Sequence, residues 1–209
     1  MAQLLEIHPT HPQSRMIRMV VAALEATSGT VIVYPTDTAY ALGCRMGDKE
    51  ALSKIIALRQ LPKNHQFTIA CRDLKSLGTY ARVDNAGYRL LKKATPGPFT
   101  FVMQATRDVP RRVLHPKRRT IGLRVPDQPV ALALLAQLGE PLLTTTVRFP
   151  DTHEPLSSAY EIYERIGKQV SLVLDIGQEL RGVSTVVDLT ESPPVTLREG
   201  IGDLDGLFG

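Results

Sequence analysis

The chain has 209 residues, 43% of them apolar and 22% charged, enough for one large α/β domain with a core of its own or for two small ones. Aromatic residues make up 5% and tryptophan is absent, so that core must be aliphatic. Cys44 and Cys71 give neither a metal-ligand spacing nor a disulfide framework, which fits a reduced, cytoplasmic setting. The first residues hold no basic stretch followed by a long apolar run, and no apolar stretch approaches the ~20 residues of a membrane span.

Residues 13–28 place Ile17, Val20, Val21 and Leu24 at helical spacing, with Gly29 as the expected C-terminal cap. The run Thr30-Val31-Ile32-Val33 reads as a buried strand. It delivers the stretch Tyr34-Pro35-Thr36-Asp37-Thr38-Ala39-Tyr40-Ala41-Leu42-Gly43, read as a loop carrying two hydroxyls, a carboxylate and a phenol. Such a loop is either a turn capped by its own Thr36 and Asp37 side chains or one wall of a ligand pocket. Asp48 caps a second helix with Leu52, Ile55 and Ile56 on its apolar side, and Pro62 ends it. Strands follow at 66–70 and 99–103, with a helix over 84–93 and the sharp loop Pro96-Gly97-Pro98 between them.

The net charge is +4, yet residues 107–119 alone hold Arg107, Arg111, Arg112, Lys117, Arg118 and Arg119 against Asp108, a local +5 on an otherwise nearly neutral chain. A loop of that charge, broken by Pro110 and Pro116, suits RNA, DNA or nucleotide phosphates, or is simply solvated. Residues 120–125 alternate strictly. Ile121, Leu123 and Val125 take one face. Thr120, Gly122 and Arg124 take the other, either with room for a ligand between them or as the polar side of an amphipathic edge strand. A helix over 128–138 ends at Gly139, 141–147 is a strand that turns polar, and 157–167 is a short helix. Strands are expected at 171–175, 184–189 and 195–198, and the Gly- and Asp-rich tail is expected to be mobile.

No GxxxxGK[ST] loop, GxGxxG fingerprint, GxSxG elbow or HExxH pair occurs, and His8, His11, His65, His115 and His153 are scattered. A zinc enzyme or a serine hydrolase is therefore not indicated. What the chain does carry is a distributed set of hydroxyls and guanidiniums near predicted strand ends: Thr36, Thr38, Arg59, Thr120, Arg124, Thr144 to Thr146, Ser184, Thr185 and Arg198. Arginine gives bidentate bonds to carboxylate and phosphate, and hydroxyls orient a ligand without adding charge.

The segments YPTDTAYALG (34–43), RQLP (59–62), TPGPFTFVM (95–103), TIGLRVP (120–126), LLTTTVR (142–148), GVSTVVDL (182–189) and VTLREG (195–200) together resemble the YrdC-type threonylcarbamoyl-adenylate synthase family, and more closely its YciO branch. The resemblance implies a single α/β domain over residues 1–209, with a twisted mixed, partly open sheet flanked by helices around a large basic cavity. It implies nucleotidyltransferase-type chemistry: threonine, bicarbonate and ATP, with Mg2+ accompanying ATP and no metal site of the protein's own, condense to threonylcarbamoyl-adenylate, which feeds tRNA modification. It also implies double-stranded RNA or tRNA as a partner of the basic surface. Carried over by motif, threonine-side contacts fall on Thr36, Arg124 and Ser184, and nucleotide-side contacts on Arg59, Thr120, Thr146, Arg148 and Arg198.

Two departures stand out. Where the family has Lys-x-Arg the chain reads Arg59-Gln60-Leu61, and where it has Ser-x-Asn the chain reads Thr146-Val147-Arg148. A charged hydrogen bond removed from a site costs roughly 1.5–3 kcal/mol. The expectation is therefore weakened or altered synthase activity, with Arg148 returning the charge lost at Leu61. The alternative is an RNA-binding protein with a vestigial nucleotide pocket.

Overall fold

Apolar, β-branched runs pair wherever they fall along this chain, and they end up in one sheet. The computed structural model describes residues 1–62 and 65–208. Its strands are β1 (Gln3–Glu6), β2 (Ile32–Pro35), β3 (Tyr40–Arg45), β4 (Thr68–Ala70), β5 (Phe99–Gln104), β6 (Thr120–Arg124), β7 (Leu142–Thr146), β8 (Leu172–Asp175), β9 (Thr185–Asp188) and β10 (Val195–Arg198). They form a single ten-stranded mixed sheet in the order β1-β8-β2-β3-β7-β4-β6-β5-β9-β10. Four neighbouring pairs are parallel (β1–β8, β2–β8, β4–β6, β5–β9) and five antiparallel (β2–β3, β3–β7, β4–β7, β5–β6, β9–β10). This is the expected α/β architecture with a twisted mixed sheet and flanking helices.

The helices are α1 (Ser14–Ala26), α2 (Lys49–Arg59), α3 (Leu74–Tyr80), α4 (Asn85–Ala94), α5 (Pro129–Leu138), α6 (Ala159–Ile166) and α7 (Leu204–Phe208). Local chemistry sets their starts. Asp48, Asp73, Asp84 and Ser158 each accept a hydrogen bond from a first-turn amide, satisfying donors that a helix leaves unpaired. Gln128 caps α5 through Oε1 and ties its Nε2 to the Pro9 carbonyl, with Pro129 pre-set for the first turn. Gly139 ends α5 at φ +73, and Gln60 ends α2 at φ +49, two residues before Pro62. Gly29 also has positive φ, but the cap of α1 is Thr27, so Gly29 shapes the connection to β2 rather than closing the helix.

The core is largely aliphatic, as the composition requires, with Tyr34, Tyr40 and Phe101 as its largest fully buried rings. Each such side chain contributes about 1.5–3 kcal/mol of transfer free energy. The stretch read as one loop is a β-hairpin: β2 and β3 pair from Ile32↔Gly43 to Pro35↔Tyr40 around the turn Thr36–Ala39. Its apolar residues at 40–44 are buried on both faces, so no alternation marked them as a strand. Three further elements went unforeseen: β1, α3 and α7. The tail is therefore not simply loose, since α7 packs on α4 and buries Leu207; Gly209 lies outside the described residues. The edge-strand reading of residues 120–125 is also overturned. β6 lies between β4 and β5, and Arg124 on it is buried.

Candidate functional site

The β2–β3 turn is held by its own side chains. Thr36 Oγ1 donates to the Ala39 carbonyl (2.6 Å) and accepts from the amides of Thr38 and Ala39 (3.2 Å each). The turn is thus capped by Thr36, and the same residue lines a cavity of about 350 Å³, within the usual range for small-molecule sites. Asp37 does not cap the turn. It pairs with Arg124 Nη2 from β6, and Arg124 Nη1 donates to Thr38 Oγ1 (3.3 Å). The two charged side chains are 8% and 10% exposed, so the pair fastens hairpin to sheet in a nearly dry setting.

A second wall comes from β5, β9 and β10. Thr100 and Ser184 share a hydroxyl hydrogen bond of 2.8 Å. Arg198 grips Ser184 from above, donating from Nε and Nη2 to its carbonyl (3.1 and 2.9 Å) and from Nη2 to its hydroxyl (3.0 Å). The β9–β10 register shifts between Thr196 and Arg198, the kind of irregularity that re-aims a side chain. Burial, and then the charges of Arg124 and Arg148, push the Arg198 pKa down.

The third wall is the end of α2 with the end of β7. Arg59 Nη1 donates to Thr145 Oγ1 (2.9 Å) and to the Thr146 carbonyl. Arg148, just beyond β7, lines the same cavity and is the charge that, after burial, pushes the Arg59 pKa down to about 10. Arg148 is exposed and Arg59 half-buried, and the two line the same cavity. Leu61 does not share the wall; it packs against the core.

The sequence-derived residues Thr36, Arg59, Arg124, Thr146, Arg148, Ser184 and Arg198 all converge on this cavity. Thr120 does not line it. It is fully buried and donates to Gln66 Oε1 (3.4 Å), so any influence passes through Gln66, which does line the wall. Nor does Gly122 leave room for a ligand: a Cβ there would meet Thr68 Oγ1 at 2.7 Å and the Phe67 carbonyl at 3.1 Å, so the glycine serves close strand packing. Tyr40 belongs to the core and donates to the Gln178 carbonyl (3.1 Å).

Residues missed from sequence complete the walls: His65, Gln66, Thr68 and Thr100. Thr100 had a visible signal, a lone hydroxyl inside FTFVM. His65 had none. It sits edge-on to Phe67, and burial, with the nearby Arg59 charge, lowers its pKa to about 4.

Two features define what this cavity can do. Arg59, Arg124, Arg148 and Arg198 line it, and no carboxylate does; Asp37, behind it, neutralises Arg124 alone. Moreover, among the described residues the buried side-chain atoms left without a hydrogen-bond partner are Asp37 Oδ2, Arg59 Nε, Gln66 Nε2 and Arg124 Nε. Three belong to cavity-lining residues and the fourth to the partner of Arg124. Buried polar groups are nearly always satisfied, so these four orphans, spread over the first and third walls, mark a region whose polar groups are incompletely matched within the chain.

The basic segment lies elsewhere and is not one continuous patch. Arg118 is committed to the buried Asp188 (2.7 Å), Thr190 and Glu191, and Arg112 to the Gly47 carbonyl (2.6 Å). Lys117 is exposed on the turn. Arg107, Arg111 and Arg119 line a second concavity that shares no residue with the first. Among the described residues no group of three or more His, Cys, Asp or Glu is placed to hold a metal, and no helix is long and apolar enough to cross a membrane.

Comparison with known proteins places these walls in context. The family model Sua5_yciO_yrdC, described as Telomere recombination, matches residues 25–200. The protein YciO of Escherichia coli strain K12 is 48% identical over 204 residues, covering 98% of both chains. The crystal structure of E. coli YciO superposes with a TM-score of 0.94 over 99% of this chain and 100% of that one. A threonylcarbamoyl-AMP synthase of Pyrococcus abyssi is 30% identical over 182 residues, 86% of this chain but 53% of that protein, so this chain spans about half of it. The crystal structure of P. abyssi Sua5 complexed with L-threonine superposes with a TM-score of 0.86 at 26% identity, covering 94% of this chain and 57% of that one.

Proposed function

This chain belongs to the Sua5/YciO/YrdC family, and on that premise we propose that its arginine-lined cavity binds a threonine-type amino acid together with an ATP- or AMP-type nucleotide, and acts on threonylcarbamoyl-adenylate or a related acyl-adenylate. The observation that carries the proposal is the lining itself: four guanidiniums, three of them without a carboxylate partner among the described residues, beside the hydroxyls of Thr36, Thr146 and Ser184. A ligand bearing a carboxylate and several phosphate oxygens satisfies both. The L-threonine complex of P. abyssi Sua5 supports the amino-acid half by likeness.

Within this reading the cavity has two ends. Asp37 fixes the plane of Arg124 by taking Nη2 and so holds the guanidinium at the amino-acid end, beside Thr36 and Ser184. Arg59, Thr146, Arg148 and Arg198 form the phosphate end. Burial first, and the neighbouring guanidiniums second, push the pKa of Arg59 and Arg198 down, and an anion entering the cavity offsets both costs. In the synthase reaction a carbamate oxygen, formed on the amino acid from bicarbonate, bonds to the α-phosphorus while the bond to pyrophosphate breaks. Preorganised guanidiniums stabilise the charge spreading over the phosphate oxygens. Mg2+ arrives with the triphosphate, since the wall offers it no free carboxylate.

The test is pyrophosphate release with ATP, bicarbonate and threonine, together with direct binding of each ligand. Release that depends on threonine supports the synthase. Binding of both ligands without release supports an altered acyl-adenylate substrate. Absence of small-ligand binding, with salt-sensitive binding to duplex RNA, would establish the vestigial-pocket alternative instead.

A further inference from the structure

The second concavity, about 720 Å³, lies at the other end of the β5–β6 pair. β5 contributes Thr100 and Val102 to the first cavity and Gln104 to the second. Gln104 pairs with Thr120, where β6 begins after the basic segment. Around it stand four arginines from three places: Arg82 from the link between α3 and α4, Arg107 and Arg111 from the loop after β5 and its 3-10 turn (Arg111–Val113), and Arg119 at the start of β6. The isolated bridge Ala81↔Ala105 holds the first of these places against the second, and the Arg82 amide donates to the Gln104 carbonyl (2.9 Å).

Folding has thus gathered four guanidiniums that the sequence scatters over 38 positions. No carboxylate lines the concavity, and among the described residues none of the four takes part in an ion pair or a side-chain hydrogen bond. Elsewhere Arg45, Arg72, Arg118, Arg124, Arg165 and Arg181 are each paired to a carboxylate. Four like charges facing one hollow repel one another, and the arrangement costs least when an anion with several oxygens bridges them.

The chemistry of the anion follows from where the charge stops. A nucleic-acid backbone needs a track of cations, since each exposed contact is weak and affinity accumulates over many phosphates. Within the same segment Arg118 is neutralised by Asp188 and Glu191, and Arg112 is turned to the Gly47 carbonyl, so neither lines the hollow. What remains is a compact ring suited to a short chain of linked phosphates. We propose that this concavity is a second anion site, separate from the first cavity, that binds a small polyphosphate: inorganic triphosphate or the phosphate tail of a nucleotide.

The experiment is calorimetric titration of the full chain with inorganic triphosphate at low and moderate salt. The variants are Arg82→Ala/Arg111→Ala, Arg59→Ala/Arg198→Ala and, as a control of equal charge loss per residue, Lys117→Ala. Arg119 is left unchanged because it sits at φ +55, where substitution would strain the backbone. Two sites per chain are expected. The Arg82/Arg111 variant weakens one of them at least tenfold and leaves the other, whereas the Arg59/Arg198 variant does the reverse. Thermal melting within 2 °C of the parent, about what 0.5–1 kcal/mol shifts a chain of this size, confirms that the exposed substitutions spare the fold. For a variant outside that limit, the singles Arg82→Ala and Arg111→Ala, which lie on different segments, are read instead. A single site that disappears with Arg59/Arg198 and ignores Arg82/Arg111 overturns the proposal without touching the function proposed for the first cavity. So does binding of duplex RNA that depends on Arg82 and Arg111 while triphosphate fails to compete.

Discussion

The buried pair of Arg124 and Asp37 gives the sharpest test of how this site is built. Both side chains are about one-tenth exposed, and each keeps one atom, Nε and Oδ2, without a partner. Truncating Arg124 to alanine would leave the Asp37 charge buried with only neutral neighbours. Breaking such a pair from one side costs about 3–5 kcal/mol. At roughly 2–4 °C per kcal/mol for a chain of this length, Arg124→Ala and Asp37→Ala should each lower the melting temperature by about 6–20 °C. The double variant Arg124→Ala/Asp37→Ala removes both charges and should cost clearly less than the sum of the two single losses, giving a coupling energy of at least ~2 kcal/mol in a double-mutant cycle. Urea unfolding followed by circular dichroism reads all four corners of the cycle. Screening by salt should change the coupling little, because the pair is shielded from water. The consequence for function is that lost threonine binding in Arg124→Ala is interpretable only beside its stability. Asp37→Asn, which keeps a hydrogen-bond acceptor, is the better probe of how the guanidinium is oriented. If Arg124→Ala melts within 2 °C of the parent, the pair is not holding the hairpin to β6 and the reasoning fails.

The remaining predictions bear on the other walls. His65 has its pKa lowered from 6.5 to about 4 in the folded chain. The unfolded chain therefore takes up this proton at higher pH than the folded chain does. The stability contributed by neutral His65 is complete above pH 6.5, is lost as pH falls toward 4, and amounts to about 1–2 kcal/mol after allowance for its partial exposure; His65→Gln should flatten the unfolding profile across that window. Gly122→Ala places a methyl group against Thr68 and the Phe67 carbonyl and should cost about 1–3 kcal/mol, measured by chemical denaturation. Arg148→Ala should weaken nucleotide triphosphate binding about tenfold, ~1.4 kcal/mol, while leaving threonine binding unchanged in the same calorimeter, because Arg148 lies at the phosphate end. Leu207→Ala should destabilise the chain by ~2 kcal/mol, since Leu207 is 3% exposed and anchors α7; a freely mobile tail would make the substitution silent.

Most of the strands and helices were legible because they rest on short-range chemistry: Asp48 and Asp84 at helix starts, Gly139 at a helix end, and the alternation through 120–125. What failed rests on burial and pairing that only the whole chain decides. The segment after Ala39 alternates nothing because both faces of β3 are covered. β1 is four residues long and is a strand only because β8, some 170 positions on, offers it a parallel edge. The site followed the same division. Thr36, Arg59, Arg124, Ser184 and Arg198 were named through resemblance, Arg124 also through the alternation of 120–125, and the fold brings them to one cavity. The partner of Arg124 was not legible, although Asp37 stands next to Thr36, because the pairing crosses 87 positions. The basic segment shows the same limit from the other side. Counting charge along residues 107–119 gives a patch, but Arg118 answers a buried Asp188 seventy positions away, and Arg82 arrives from outside the segment. Charge that is contiguous in sequence was split between structure and surface, and charge dispersed in sequence was collected. The location of free positive charge, which any account of this protein's anionic ligands needs, is therefore a property of tertiary pairing: a guanidinium offers its full charge to a ligand where the fold has left it without a carboxylate, and only an oriented hydrogen-bond donor where, as at Arg124, it has not.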